Sequence, residues 1–121
     1  MEDLRRMEID ALFAGVPVAD LVVATGRYEQ VLGRPPDVPV NEEEVMWRIT
    51  DRAWLYLVVD PRRAGQALVA MSVAELDEAT AALEGRGINV TSIETIPGAG
   101  RKAYFVDPDG NSIAIIEVIE A

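Results

Sequence analysis

The 121-residue chain contains no histidine and no cysteine. The first absence removes the commonest metal ligand and the commonest general base near neutral pH. A zinc centre would have to be built from carboxylates alone, which is unusual. The second absence excludes a disulfide framework and a thiol nucleophile. Together they exclude the Ser-His-Asp and Cys-His arrangements of nucleophilic catalysis. Positive charge is scarce as well: 11 Lys and Arg stand against 21 Asp and Glu, a formal net charge of −10. Nucleic acid, whose phosphates require a basic surface, is therefore not an expected partner. A cationic ligand is compatible with this charge, and so is a plain solubilising role. Long apolar runs are missing too. The run from Ala11 to Ala19 is interrupted by Gly15 and Pro17, far short of the roughly 18 residues that span a bilayer. Glu2, Asp3, Glu8 and Asp10 lie among Arg5 and Arg6, which is not the pattern of a signal peptide. The expectation is a cytoplasmic protein without membrane partners.

What is present is the composition of a globular domain: 50% hydrophobic residues and 26% charged ones. A chain of this length suffices for one domain with a real core. Met7 to Gly15 reads as a first strand that Pro17 breaks, with Ile9, Ala11 and Phe13 on one face. Val18 to Leu32 shows helical spacing, with Val18, Leu21, Val22, Tyr28, Val31 and Leu32 on one side. Gly33 suits the helix stop and Pro35-Pro36 forbid continuation. Gly26 inside this helix is expected to mark close packing on a neighbour. Pro35 to Asn41 reads as a loop or a short edge strand. Glu44–Thr50 alternates, with Val45, Trp47 and Ile49 on one face. Ala53–Val59 is apolar on both faces and reads as a strand covered on both sides.

The pattern then restarts. Gln66 to Met71 reads as a strand, and Ser72-Val73-Ala74-Glu75 fits a capping box that opens a helix through Leu76, Ala79, Thr80 and Leu83. Ile88 to Ile96 reads as a further strand. Tyr104 to Glu117 reads as a closing hairpin around Asp107-Pro108-Asp109-Gly110-Asn111. There Pro108 presets φ, Gly110 tolerates positive φ, and Asp109 and Asn111 can bond their own backbone. Val18-Ala19-Asp20-Leu21 and Val73-Ala74-Glu75-Leu76 open the two helices 55 residues apart. The repeated element order supports two copies of one unit. The expected fold class is α+β in a single domain over residues 1–121, with module one about 7–60, a linker at 61–65 and module two about 66–119.

Three segments carry a resemblance: the hairpin Val106-Asp107-Pro108-Asp109-Gly110-Asn111, the segment Val16-Pro17-Val18-Ala19-Asp20-Leu21, and Arg27-Tyr28-Glu29-Gln30-Val31-Leu32-Gly33. With the repeat, they make the chain resemble the vicinal oxygen chelate superfamily of glyoxalase I, bleomycin-resistance proteins and extradiol dioxygenases. The resemblance covers roughly Ile9 to Val118. It implies paired βαβββ modules, a curved sheet around a cavity, and a homodimer whose modules pair within the chain or swap between protomers. Metal-dependent members carry ligands on the first and last strands of each module. The matching first-strand positions are Phe13 and Leu68, each seven residues before the acid that opens its helix. The matching last-strand positions are Tyr56 and Ala114. A phenyl or a methyl offers a cation no lone pair, so neither a metal site nor another cofactor is expected.

The cavity is then expected to be apolar, lined by Phe13, Trp47, Trp54, Tyr56, Leu68, Tyr104 and Ala114. Aromatic faces with a few polar tips suit a small-molecule pocket. Plain core remains open for Trp47, Trp54 and Tyr56. Three functions stand side by side. One is a metal-free protein that sequesters a hydrophobic, aromatic or cationic small molecule, with cation–π contacts from Trp47 or Trp54. Another is a metal-independent isomerase, lyase or hydrolase using a carboxylate such as Asp10 or Glu117, or a tyrosine. The third is an interaction module whose cavity has filled with side chains. Gly98-Ala99-Gly100-Arg101-Lys102 reads as a hairpin loop, because it lacks the strand-to-helix context of a phosphate loop.

Overall fold

Alternation decides the centre of the first sheet. In the computed structural model, which describes residues 7–119, Val45 and Trp47 turn inward and Ile49 is half-buried. They belong to β3 (Glu44–Thr50), which pairs antiparallel with β4 (Ala53–Val59). Leu55 and Leu57 of β4 share the inward face and are almost fully buried. β4 also pairs in parallel with β1 (Leu12–Val18), and β3 with the short edge strand β2 (Val38–Asn41). The order is β1-β4-β3-β2. The second half repeats it as β5-β8-β7-β6, with β5 (Leu68–Ser72), β6 (Ser92–Ile96), β7 (Gly100–Val106) and β8 (Ser112–Val118). In each half a helix follows the first strand: α1 (Leu21–Leu32) and α2 (Leu76–Gly85). The architecture is α+β, two mixed four-stranded sheets with one helix each.

The helices form where caps and stripes agree. Asp20 has extended backbone and its carboxylate accepts the Val23 N–H, a standard N-cap. Gly33 closes α1 at φ 77°, a left-handed position that glycine adopts without strain. Ala24, Tyr28 and Val31 form the buried stripe of α1. Leu76, Thr80 and Leu83 do the same for α2. One continuous cluster of buried side chains, including Val16, Tyr28, Trp47, Leu57, Leu83, Phe105 and Ile113, draws on both halves.

Several expectations are corrected. The first strand is Leu12–Val18, not Met7 to Gly15, and Pro17 lies inside it. β1 is an edge strand. The Pro17 carbonyl points away from β4 and accepts from Asn111, so its nitrogen also lies on the unpaired side and the ladder loses no donor. α1 starts at Leu21 rather than Val18. Val22 is 83% exposed, since it sits about 200° around the helix from Ala24. Gly26 is exposed and a Cβ there would meet nothing within 4 Å. Ser72 does not cap α2. β5 runs through Ser72, Val73 N–H bonds the Ile116 carbonyl, and the helix begins later, with Glu75 at the N-cap position. Glu117 of β8 supplies the cap instead, accepting the Leu76 N–H at 2.9 Å. The strand expected from Ile88 starts only at Ser92; Ile88 is buried and closes α2 through a bond to the Leu83 carbonyl. The charged residues before Met7 lie outside the described residues.

Candidate functional site

The turn between β7 and β8 locks the two halves together. Asp107 and Asn111 are buried, at 4% and 0% exposure. One Asp107 oxygen accepts the N–H groups of Asp109 and Asn111, each at 2.9 Å. The other accepts the Tyr28 hydroxyl and the Asn111 side-chain amide, also at 2.9 Å. Asn111 further donates to the Pro17 carbonyl at 2.8 Å and accepts the Ala67 N–H at 2.9 Å. Asp109 accepts the Ala19 N–H at 3.2 Å. Every polar group of this network has a partner, which is what makes a buried network rigid. Burial first, and the Asp107 charge second, hold the Tyr28 phenol far above its ordinary pKa. Tyr28 is therefore a neutral structural donor and not a base.

The helices cover one face of each sheet and leave the other open. On the first sheet the open face carries Phe13, Gly15 and Pro17 of β1 beside Trp54, Tyr56 and Val58 of β4, in register. Phe13 and Trp54 stack with ring centroids 5.9 Å apart and planes 11° from parallel. A Cβ on Gly15 would come within 2.5 Å of the Tyr56 ring, so the missing side chain is what lets that ring lie across β1. A hollow of about 390 Å³ adjoins Tyr56, Gly15 and Pro17, with Asp60, Arg63 and Gln66 around it. Arg63 and Asp60 approach to 3.7 Å. On the second sheet Leu68, Ala70, Ser112, Ala114, Lys102 and Tyr104 surround a hollow of about 290 Å³.

The residues expected from the sequence thus divide. Phe13, Trp54 and Tyr56 share the open face of the first sheet. Leu68, Tyr104 and Ala114 line the hollow of the second. Trp47 is a correction: it lies on the helix side, fully buried, with its ring 6.2 Å from that of Tyr28 and its N–H on the Arg34 carbonyl. Its register partner is Leu55, so it takes the inward parity, while Trp54 takes the outward one. Sequence reasoning missed Gly15, Arg63, Gln66 and Lys102. The pairing of Gly15 with Tyr56 was the available signal for the first, since a missing side chain opposite a large ring marks close approach. Asp10 precedes β1 rather than lying on a strand, and Glu117 faces α2, where Arg101 pairs with it at 3.3 Å. Neither carboxylate belongs to an open face.

Register equivalence tests the metal positions. Phe13 pairs with Trp54 as Leu68 pairs with Ser112, and Gly15 with Tyr56 as Ala70 with Ala114. Tyr56 and Ala114 are therefore equivalent, as are Phe13 and Leu68. A phenyl, an isobutyl and a methyl supply no donor atom. Among the described residues, no group of three Asp, Glu, His or Cys side chains is placed to hold an ion. These side chains do not fit a divalent cation. Among the described residues, no helix is long and apolar enough to cross a membrane.

Comparison with known proteins agrees with this geometry. No curated protein matches the chain. The glyoxalase/bleomycin resistance protein from Catenulispora Acidiphila DSM 44928 is 36% identical, covers 90% of this chain and 98% of its own, and superposes with a TM-score of 0.84. TnmS3, an antibiotic binding protein from Streptomyces sp. CB03234, is 24% identical over 97% of this chain and 100% of its own, with a TM-score of 0.74. Lactoylglutathione lyase from Agrobacterium tumefaciens shares the fold at 20% identity, covering 88% of this chain and 91% of its own, with a TM-score of 0.73. The family model matches residues 10–115, and the chain belongs to the Glyoxalase/Bleomycin resistance protein/Dioxygenase superfamily.

Proposed function

We propose that the protein binds a flat, largely apolar small molecule on its open sheet faces, without a metal ion, and that a second copy of the chain completes the site. The observation that carries this reading is the half-exposed Phe13–Trp54 stack beside the Tyr56 hollow. A stacked aromatic pair left uncovered on a sheet face offers a planar ligand a third layer. Hollows of about 390 and 290 Å³ are near the size of small-molecule sites, which favours a binding role over a filled interaction module. The family, and a neighbour described as an antibiotic binding protein, support the same reading. At the first hollow Arg63 pairs with Asp60, whereas Lys102 at the second has no acid beside it on the lining, so a neutral or anionic ligand suits the faces better than a cationic one. A second copy would cover Phe13 and Leu68, which are 51% and 85% exposed.

Tryptophan fluorescence tests the reading. An anionic naphthalene dye and a cationic phenanthridinium dye are titrated against untagged protein. The anionic dye is expected to quench the emission and to bind more tightly. Trp54→Ala should weaken it about tenfold, the loss of roughly 1.4 kcal/mol of stacking. Trp47→Phe should leave the affinity unchanged. Equal binding to wild type and Trp54→Ala would refute the site. Native mass spectrometry of the same sample is expected to give a dimer without bound metal; one divalent ion per chain would overturn the metal-free reading.

A further inference from the structure

An apolar seam on the helix side belongs to neither open face. It runs where the C-terminal end of α1 meets α2. Val31, Leu83 and Ile115 form its buried floor, with Ile49, Met71 and Ala79 on its walls. The groove measures about 260 Å³, just under the usual lower bound of about 300 Å³ for ligand sites. Its occupant must therefore be short and narrow. The only formally charged side chain on its lining is Arg86. This arginine ends α2 and crosses to the other half, where one guanidinium nitrogen donates to the Val31 carbonyl at 3.3 Å and the group lies against Gly33.

Among the described residues, no carboxylate pairs with Arg86. A guanidinium carries five donors in a rigid fork. The bond to Val31 uses one, and the others remain for a planar anion. An apolar slot with one fixed cation at its rim and no acid on its lining is complementary to a short aliphatic tail bearing a carboxylate. We propose that this groove is a second ligand site, separate from the open sheet faces, that binds a medium-chain carboxylate with its tail over Leu83 and Ile115 and its head on Arg86. An occupant there would bridge α1 and α2, and so would favour the docked arrangement of the two halves.

The test uses octanoate, octanol and octylamine with the full chain, followed by amide chemical-shift mapping. Octanoate is expected to bind in the millimolar range or tighter and to shift Leu32, Ala79 and Leu83. Arg86→Gln keeps a donor for the Val31 carbonyl but removes the charge, and should weaken octanoate about tenfold or more while leaving octanol unchanged. Ala82→Phe, at an exposed position on the groove wall, should abolish binding of both. Octanoate shifts confined to Phe13, Trp54 and Leu68, equal affinity for Arg86→Gln, tighter binding of octylamine, or no binding would each overturn the proposal. None of these outcomes alters Trp54 quenching by the dyes, so the two sites are judged separately.

Discussion

Tyr28→Phe isolates the clamp between the halves. The substitution keeps the buried ring against Trp47 and deletes one hydrogen bond to Asp107. The deprived oxygen keeps the Asn111 amide at 2.9 Å, and its twin keeps the two backbone N–H bonds. A hydrogen bond to a charged group contributes about 1.5–3 kcal/mol net. Because Asp107 stays partly satisfied, the loss should fall near the lower end, at about 1.5 kcal/mol. For a chain of this size that lowers Tm by about 4–10 °C. The pH dependence gives a second, independent check. The folded-state phenol pKa is raised, by burial and then by Asp107, whereas an unfolded tyrosine titrates near 10. The Tyr28 contribution is therefore fully present below about pH 10 and is lost as pH rises above it. Wild-type stability should fall above that value by up to about 1.4 kcal/mol per pH unit from this group alone. Urea unfolding at pH 7, 9 and 11 measures both effects. The gap between wild type and Tyr28→Phe should be constant from pH 7 to 9 and narrow at pH 11. A gap below about 0.5 kcal/mol at pH 7, or parallel alkaline losses, would refute the account.

Asn111→Ala removes bonds to Pro17, Ala67 and Asp107 together and leaves a buried carbonyl and an amide bare. It should cost about 3–5 kcal/mol in urea unfolding; a loss under about 1 kcal/mol would mean that water replaces it freely. Asp37 is held below the usual carboxylate range, first by the Arg48 backbone N–H and then by the Arg34 guanidinium. Its stabilising effect is present above the ordinary aspartate pKa and is lost as pH falls through the depressed one. Carbon-detected NMR titration of Arg34→Ala should retain part of that depression, and full return to the ordinary value would show that the backbone bond is not the larger cause. Gly15→Ala drives a methyl into the far end of the Tyr56 ring. The ring can swing outward, so stability should change by less than about 1 kcal/mol, but dye quenching at the adjacent Trp54 should weaken; unchanged quenching would detach Tyr56 from the site.

Legibility followed locality. The bounds of β3 and β4 were readable to the residue because alternation and the turn at Asp51-Arg52 are short-range signals, but the reading of β4 as covered on both sides fails, since its Trp54, Tyr56 and Val58 face is open. Gly33, the hairpin and the 55-residue repeat were readable for the same reason. What failed depended on partners far along the chain. Which face of β3 is inward, and so the burial of Trp47, depends on where α1 packs, as its contact with Tyr28 shows. The tolerance of Pro17 depends on β1 being an edge. The true cap of α2 is Glu117, 41 residues from the amide it accepts. Ser72 satisfied a local capping rule, but the ladder between β5 and β8 held that residue in a strand. The site residues were half legible. Motif position found the open-face residues Phe13, Leu68 and Ala114, while Arg63, Gln66 and Lys102 come together only through the fold.

The repeat makes the differences between its halves informative. Equivalent register positions carry Phe13 and Leu68, Trp54 and Ser112, Gly15 and Ala70, Tyr56 and Ala114. The strand order is the same in both halves, so the comparison turns on the side chains at matched positions. The first sheet presents a nearly continuous aromatic wall. The second presents small and aliphatic groups, with Tyr104 and Lys102 at one side. A wall of rings supplies stacking energy and demands a planar partner, whereas a wall of alanine and serine supplies room. Phe13, Leu68 and Ala114 carry no lone-pair donor, and the first sheet gains polarizable surface from Phe13, Trp54 and Tyr56. Tyr56 and Ser112 are the equivalent positions with a side-chain oxygen, and the Tyr56 ring is turned across Gly15. On the function proposed above, such a frame recognises its ligand by shape and stacking.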